Sequence, residues 1–174
     1  HARLLANKDG YTFIHPYDDP AVIAGQGTIA TEIIDQLSEP IDYVFVAVGG
    51  GGLLAGVLAV FKTVSPNTVV VGVEPDNSAC LTAALAAKTP VPLDMVGIFA
   101  DGVAVKQIGD VTFSIIEPHI DDMVSVTTDD ICAGIKDIYD ELRCVVEPAG
   151  ALSLAGMKQY IVDHQIVDKN IVTI

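Results

Sequence analysis

The stretch Val44-Phe-Val-Ala-Val48, followed by Gly49-Gly50-Gly51-Gly52-Leu53-Leu54-Ala55-Gly56, decides how the chain reads. Its first five residues are an uninterrupted apolar run rich in β-branched side chains, the composition of a strand buried on both faces. Four glycines then run into an apolar, helix-compatible segment that ends near Thr63. A strand, a glycine loop and a helix start place unencumbered backbone N–H groups at the positive end of a helix, a cradle for a phosphate or another anion. Glycine admits the ligand closely and takes the φ > 0 conformations that such a loop needs.

Upstream, residues 1–7 read as the end of a helix, Asp9-Gly10 as a turn, Tyr11-Thr-Phe-Ile14 as a short strand and residues 15–20 as a loop. Asp19 suits an N-cap with Pro20 at the first helical position, opening a helix to about Leu37. Inside it lies Ala24-Gly25-Gln26-Gly27-Thr28; a mid-helix glycine costs about 1 kcal/mol relative to Ala. Close backbone packing or approach to a ligand would each justify that cost. Downstream, strands are expected at residues 69–74, at 123–127 and from about Asn170. Helices are expected at about 78–87, 108–119, 128–143 (capped by Thr128 or Asp129) and 148–163. Alternating strands and helices imply an α/β fold with a mostly parallel, doubly wound sheet.

Composition narrows the function. The 174 residues are 51% hydrophobic, enough for one domain with a sizeable core and too apolar for disorder. Gly, Pro or charge interrupts every apolar run before the roughly 18 residues of a membrane span. A formal net charge of −14 argues against nucleic acid and against an anionic membrane surface, although a local loop can still hold an anion. Cys80, Cys132 and Cys144 show no C-x-x-C spacing and read as free thiols in a reducing compartment. The chain opens on His1 and closes on Asn170-Ile-Val-Thr-Ile174, so both ends read as cut and a missing targeting segment carries no weight.

Three ligands compete for the glycine loop. Gly50 to Ala55 fits G-x-G-x-x-A, and Glu74 follows Gly50 by 24 residues, as the ribose-binding acid of a dinucleotide site would. A nucleoside triphosphate loop fails for want of Gly-Lys-Ser/Thr. A monophosphate cradle needs only consecutive N–H groups. Against all three stands tight strand–helix packing, which seldom requires four glycines in a row.

The resemblance to a known family favours the monophosphate. Val48-Gly-Gly-Gly-Gly-Leu-Leu-Ala-Gly56 resembles the phosphate loop of the fold-type II pyridoxal-phosphate enzymes, within them the biosynthetic threonine deaminase (threonine dehydratase) branch. Ile23-Ala-Gly-Gln-Gly-Thr28, Gly72-Val-Glu-Pro75, Phe99-Ala-Asp-Gly-Val-Ala-Val105, Glu147-Pro-Ala-Gly-Ala151 and Ala155-Gly-Met-Lys158 resemble that branch in the same order. The resemblance implies the large cofactor-binding domain of the tryptophan synthase β-like fold over residues 19–174, truncated at both ends. Residues 1–18 would be the tail of a small domain. It implies pyridoxal 5′-phosphate as cofactor, with Gly49, Gly50, Gly51, Gly52 and Leu53 on its phosphate, Gly102 lining its ring and Glu147 beside the ring. Without the family, Glu147 reads as an acid favoured by the helix dipole ahead of Pro148. Asp101 reads as a turn or cap residue.

The implied reaction of the whole enzyme is dehydration and deamination of L-threonine to 2-oxobutanoate and ammonia in isoleucine biosynthesis, with L-serine as a further substrate that would give its own 2-oxo acid. The family's Schiff-base lysine sits in an upstream Ser-Phe-Lys-type motif that this sequence lacks. Lys62, though it follows Phe61, reads as a solvated surface lysine. No catalytic residue is therefore assigned, and the 174-residue chain alone is expected to be inactive. Some relatives bind a divalent cation through a glutamate and a nearby aspartate. Cys80 stands where that aspartate would be, so no metal ligand is assigned and Glu74 is left to local hydrogen bonds. A homo-oligomer in the cytoplasm, or in a plastid, is expected of the whole enzyme. A serine dehydratase or serine racemase type of the same fold, and a non-catalytic phosphate-binding domain, remain the alternatives.

Overall fold

In the computed structural model, which describes residues 1–174, strand β1 (Tyr43–Ala47) lies inside a four-stranded sheet. Its neighbours are β2 (Val69–Pro75) and β4 (Ile171–Thr173), and β3 (Asp122–Val126) follows outside β2, giving the order β3-β2-β1-β4. Every pairing is parallel, with Val44 opposite Val70 and Val172, and Val73 opposite Val124. The sheet is thus doubly wound, as the alternation of strands and helices predicts.

The helices are α1 (Ala2–Asp9), α2 (Pro20–Gln36), α3 (Gly52–Val64), α4 (Cys80–Ala87), α5 (Asp110–Ile116), α6 (Thr128–Leu142) and α7 (Pro148–His164). The period-2 pleat sorts the strand residues between two cores. Val44, Val46 and Val48 pack with Ile23, Leu54, Leu58, Phe61, Leu81 and Ile116, from α2, α3, α4 and α5. Phe45, Val71 and Val73 pack on the other face with Ile131, Leu152 and Tyr160 of α6 and α7. Covering both faces explains why β1 and β2 are apolar runs rather than alternating ones.

Several local expectations change. Residues 11–14 form no strand: Tyr11 and Ile14 are exposed, and the Tyr11 N–H turns back to the carbonyl of Ala6. Gly10, in the left-handed region at φ 74°, closes α1 there, and an isolated strand without a partner has nothing to pair its backbone. The α6 cap is Thr127 rather than Thr128 or Asp129; its hydroxyl accepts from the Asp130 N–H while the Asp130 carboxylate accepts from the Thr127 N–H. Lys62 is not a solvated lysine. Its side chain is only 17% exposed, pairs with Asp121 and donates to the Thr68 carbonyl at 2.9 Å. Asp19 caps α2 as expected, accepting from the N–H groups of Ala21 and Val22.

Helices α2 and α3 meet backbone to backbone. A Cβ on Gly56 would lie 2.4 Å from the Ile23 carbonyl oxygen and 2.7 Å from the Gly27 nitrogen. One on Gly27 would lie 3.2 Å from the Gly56 oxygen. Packing therefore accounts for Gly27, whereas a Cβ on Gly25 would meet nothing within 4 Å. The two sites give opposite expectations in urea denaturation. Gly56→Ala should lower the unfolding free energy by about 1–3 kcal/mol through overpacking. Gly25→Ala should raise it by about 0.5–1 kcal/mol through helix propensity. A stabilising Gly56→Ala would refute the close helix contact.

Candidate functional site

The glycine loop leaves the carboxyl end of β1 after the Val48 N–H donates to Val73, the last ladder-like bond on that side. Gly51, at φ 89°, stands at the N-cap of α3 in the left-handed region. The first intrahelical bond runs from the Ala55 N–H to the Gly51 carbonyl. The N–H groups of six consecutive residues, 49 to 54, consequently have no acceptor within the protein. They comprise the free first turn of a helix plus three loop amides, the arrangement that attracts an anion.

The α-carbons of the same loop are tightly packed. A Cβ would lie 3.0 Å from the Val103 Cα at Gly49 and 2.2 Å from the Tyr17 ring at Gly50. It would lie 2.6 Å from Ile108 at Gly51 and 3.0 Å from the Tyr17 backbone at Gly52. Packing and anion binding are therefore not rival explanations of the four glycines. Each glycine lets the loop sink against a neighbour, and the sunken loop turns its amides outward.

A cavity of about 570 Å³ is lined by the first five of those residues and brings all seven expected residues together: Gly49, Gly50, Gly51, Gly52, Leu53, Gly102 and Glu147. Gly102 lies in a single 3-10 turn, Asp101–Val103, and a Cβ there would meet Ala149 at 3.0 Å and the Glu147 carboxylate at 3.2 Å. Asp101 is an exposed member of that turn. Glu147 is the N-cap of α7, yet its side chain makes no capping bond. Its carboxylate has no hydrogen-bond or ion-pair partner in the protein and faces the cavity wall at Gly102. The cavity is thus lined by backbone amides and by one carboxylate, with Val103, Val105 and Ile174 among its apolar residues.

Sequence reading missed the floor. Pro16 and Tyr17, placed in an unremarked loop, line the cavity, and so does Gln26 from between the two α2 glycines. Burial, reinforced by the neighbouring Asp18 charge, raises the Tyr17 hydroxyl above the ordinary phenol range. Asp18 caps α5 from a distance, its carboxylate accepting from the N–H groups of Asp110, Val111 and Thr112. That bond spans more than 90 residues, so no local spacing announces it; only the Gly109 before an acidic helix start hints at a borrowed cap. Gly109 itself admits Asp18, since a Cβ there would lie 2.2 Å from its carboxylate.

Glu74 is fully buried at the end of β2 and accepts from the Leu81 N–H at 2.7 Å and from the Thr82 N–H and hydroxyl at 3.0 and 2.7 Å. Burial raises its carboxyl above the usual range despite those three donors. A group so enclosed and so occupied cannot reach a ribose, which removes the residue on which a dinucleotide site would depend. None of the 16 residues lining the cavity is a lysine.

A family model described as pyridoxal-phosphate dependent enzyme matches residues 1–174. The chain is 53% identical over 170 residues to the L-threonine dehydratase biosynthetic IlvA of Pasteurella multocida, covering 98% of this chain and 33% of that protein. It is 49% identical over 174 residues to the chloroplastic biosynthetic threonine dehydratase of Arabidopsis thaliana, covering all of this chain and 29% of the relative. The solved structure of the processed form of threonine deaminase isoform 2 from Solanum lycopersicum superposes with a TM-score of 0.97 at 49% identity. That match covers 99% of this chain and 47% of the solved one. The chain spans about a third of the length of the curated relatives it matches. Its sheet order, its glycine loop and this agreement over its whole length lead to one conclusion: the chain belongs to the pyridoxal-phosphate dependent enzyme family.

Proposed function

We propose that the chain forms the pyridoxal 5′-phosphate cradle of an enzyme that dehydrates and deaminates L-threonine, and also L-serine, to a 2-oxo acid and ammonia. The observation that carries the proposal is the run of unpartnered amides on residues 49 to 53, all of which line a cavity of about 570 Å³. The residues fit the group. A monophosphate takes several N–H donors at a helix start, a flat apolar ring suits Val103 and Val105, and Gly102 leaves the ring space that a side chain would fill. When bound, pyridoxal phosphate supplies an electron sink for the α-carbon of an amino acid.

The chain's own residues bind and orient. The amides of Gly49, Gly50, Gly51, Gly52 and Leu53 would hold the phosphate, the apolar wall would exclude water from the ring, and the Glu147 carboxylate would stand beside it near Gly102. With no lysine in the cavity, the covalent anchor and proton shuttle belong to a part of the enzyme outside these residues. Threonine over serine is favoured by the names of the relatives rather than by any contact within this chain. The reading extends to a small-domain tail in residues 1–18, supported by an α1 that buries only Ala6. It extends to a homo-oligomer, supported by apolar surface at Met95, Ile98 and Val145. No helix is long and apolar enough to cross a membrane; the cytoplasm or a plastid is the proposed setting.

Titration of the 174-residue chain with pyridoxal 5′-phosphate should give saturable binding that inorganic phosphate competes away, and pyridoxal without its phosphate should bind far more weakly. Equal affinity for the two would remove the phosphate site. Incubated with L-threonine and the cofactor, the chain should release no ammonia above the cofactor alone; enzymatic ammonia release would show that the reacting group is present after all.

A further inference from the structure

The unpartnered amides point outward only if their peptide planes are held, and the structure shows what holds two of them. The Gly50 carbonyl accepts from the Thr112 hydroxyl at 3.0 Å, with the Gly109 N–H adding a longer contact at 3.4 Å. The Gly49 carbonyl accepts from the Cys80 thiol at 3.3 Å. Thr112 and Cys80 are both fully buried and lie on α5 and α4, outside the cavity lining. Because a trans peptide is planar, its C=O and the following N–H point in opposite directions. Pinning the Gly50 oxygen therefore aims the Gly51 N–H, and pinning the Gly49 oxygen aims the Gly50 N–H.

We propose that Thr112, assisted by Cys80, is a positioning residue for the phosphate cradle: it anchors the inward carbonyls so that the Gly50 and Gly51 amides face the cavity. The inference rests on the phosphate reading above. It asks more of Thr112 than a helix-start hydroxyl normally gives. Such a hydroxyl bonds back to the carbonyl three residues earlier, and Thr112 does reach Gly109 at 3.0 Å. The equal distance to Gly50, 62 residues away, is the part that local helix chemistry leaves unexplained. The anchor is itself braced, because Asp18 accepts from the Thr112 N–H at 3.1 Å and from the two residues before it. Tyr17, next to Asp18, presses its ring onto Gly50 from the other side. Cys80 is the weaker partner, as thiols donate poorly, and burial beside Glu74 pushes its thiol up to about 12, so it keeps its proton.

The test compares the wild-type chain with Thr112→Val, Thr112→Ser and Cys80→Ala by calorimetric titration of pyridoxal 5′-phosphate, pyridoxal and inorganic phosphate. Valine keeps the shape and removes the hydroxyl, so affinity for both phosphate-bearing probes should fall about tenfold while pyridoxal affinity stays unchanged. Serine restores the hydroxyl and should return affinity to within about twofold of wild type, and Cys80→Ala should lose about threefold. A merely structural role would weaken all three probes together or none of them, and either outcome overturns the inference. Wild-type binding that Thr112→Val leaves intact overturns it while the phosphate site stands. Failure of the wild type to distinguish pyridoxal 5′-phosphate from pyridoxal overturns the phosphate reading itself. If Thr112→Val does not fold, the Thr112→Ala and Cys80→Ala affinities decide: losses confined to the phosphate-bearing probes uphold the inference, and uniform losses or none overturn it.

Discussion

The structure depends on a conflict between hydrogen bonding and packing at one loop. A chain leaving a buried strand must satisfy its backbone polar groups or turn them to solvent or ligand, since an orphaned buried amide costs free energy. Residues 49 to 54 leave six N–H groups without an internal acceptor, and five of those residues, 49 to 53, line the cavity. The carbonyls of the same loop accept hydrogen bonds from the protein side, from Thr112, Cys80, Gly109 and the helix itself. The loop is thus polarised peptide by peptide, donors toward the cavity and acceptors toward the protein.

That polarity answers the objection raised by net charge. A chain at −14 repels phosphate at long range, but screening shortens that repulsion to about 10 Å at ordinary salt. Inside the cavity the nearest polar groups are amide hydrogens and the positive end of α3. Local dipoles outweigh a diffuse surface charge because they lie in contact with the ligand and the carboxylates do not. The one cavity carboxylate, Glu147, sits beside Gly102 and is solvent-exposed, so water screens it.

Much of this was legible in the sequence, and the legible parts share a physical cause. The β1 run, the glycines and the Asp19-Pro20 helix start are local signals, each read within a few residues, and the structure places them where they read. Gly102 and Glu147 emerged from motif resemblance and fall on the same cavity as the glycines. What escaped was long-range. Asp18 meets α5 across more than 90 residues, Thr112 meets Gly50 across 62, and Lys62 meets Asp121 across 59. Nothing in the flanking sequence of Thr112 distinguishes it from Ser114, whose hydroxyl does no more than bond back to Val111. Tyr11 and Ile14 failed in the reverse sense: they have strand propensity, but no neighbouring strand gives that propensity a ladder to join.

The arrangement also fixes what kind of chemistry the site can host. A reactive centre built from the protein alone needs an ionised or readily ionised group near the ligand. Around the cradle the opposite has been arranged. Cys80 holds its proton to about 12, burial raises Tyr17 above the ordinary phenol range, and Glu74 is raised and saturated with donors. The cradle side is therefore chemically quiet, furnishing neutral hydroxyl, thiol and amide donors whose task is geometry. The single free carboxylate of the cavity wall is that of Glu147, beside Gly102. Such a wall suits a ligand that brings its own anion and its own electron-accepting ring, as proposed above. Reactivity then resides in that ligand and not in the wall, so the wall's residues can be chosen for packing, and four glycines in a row become the economical answer.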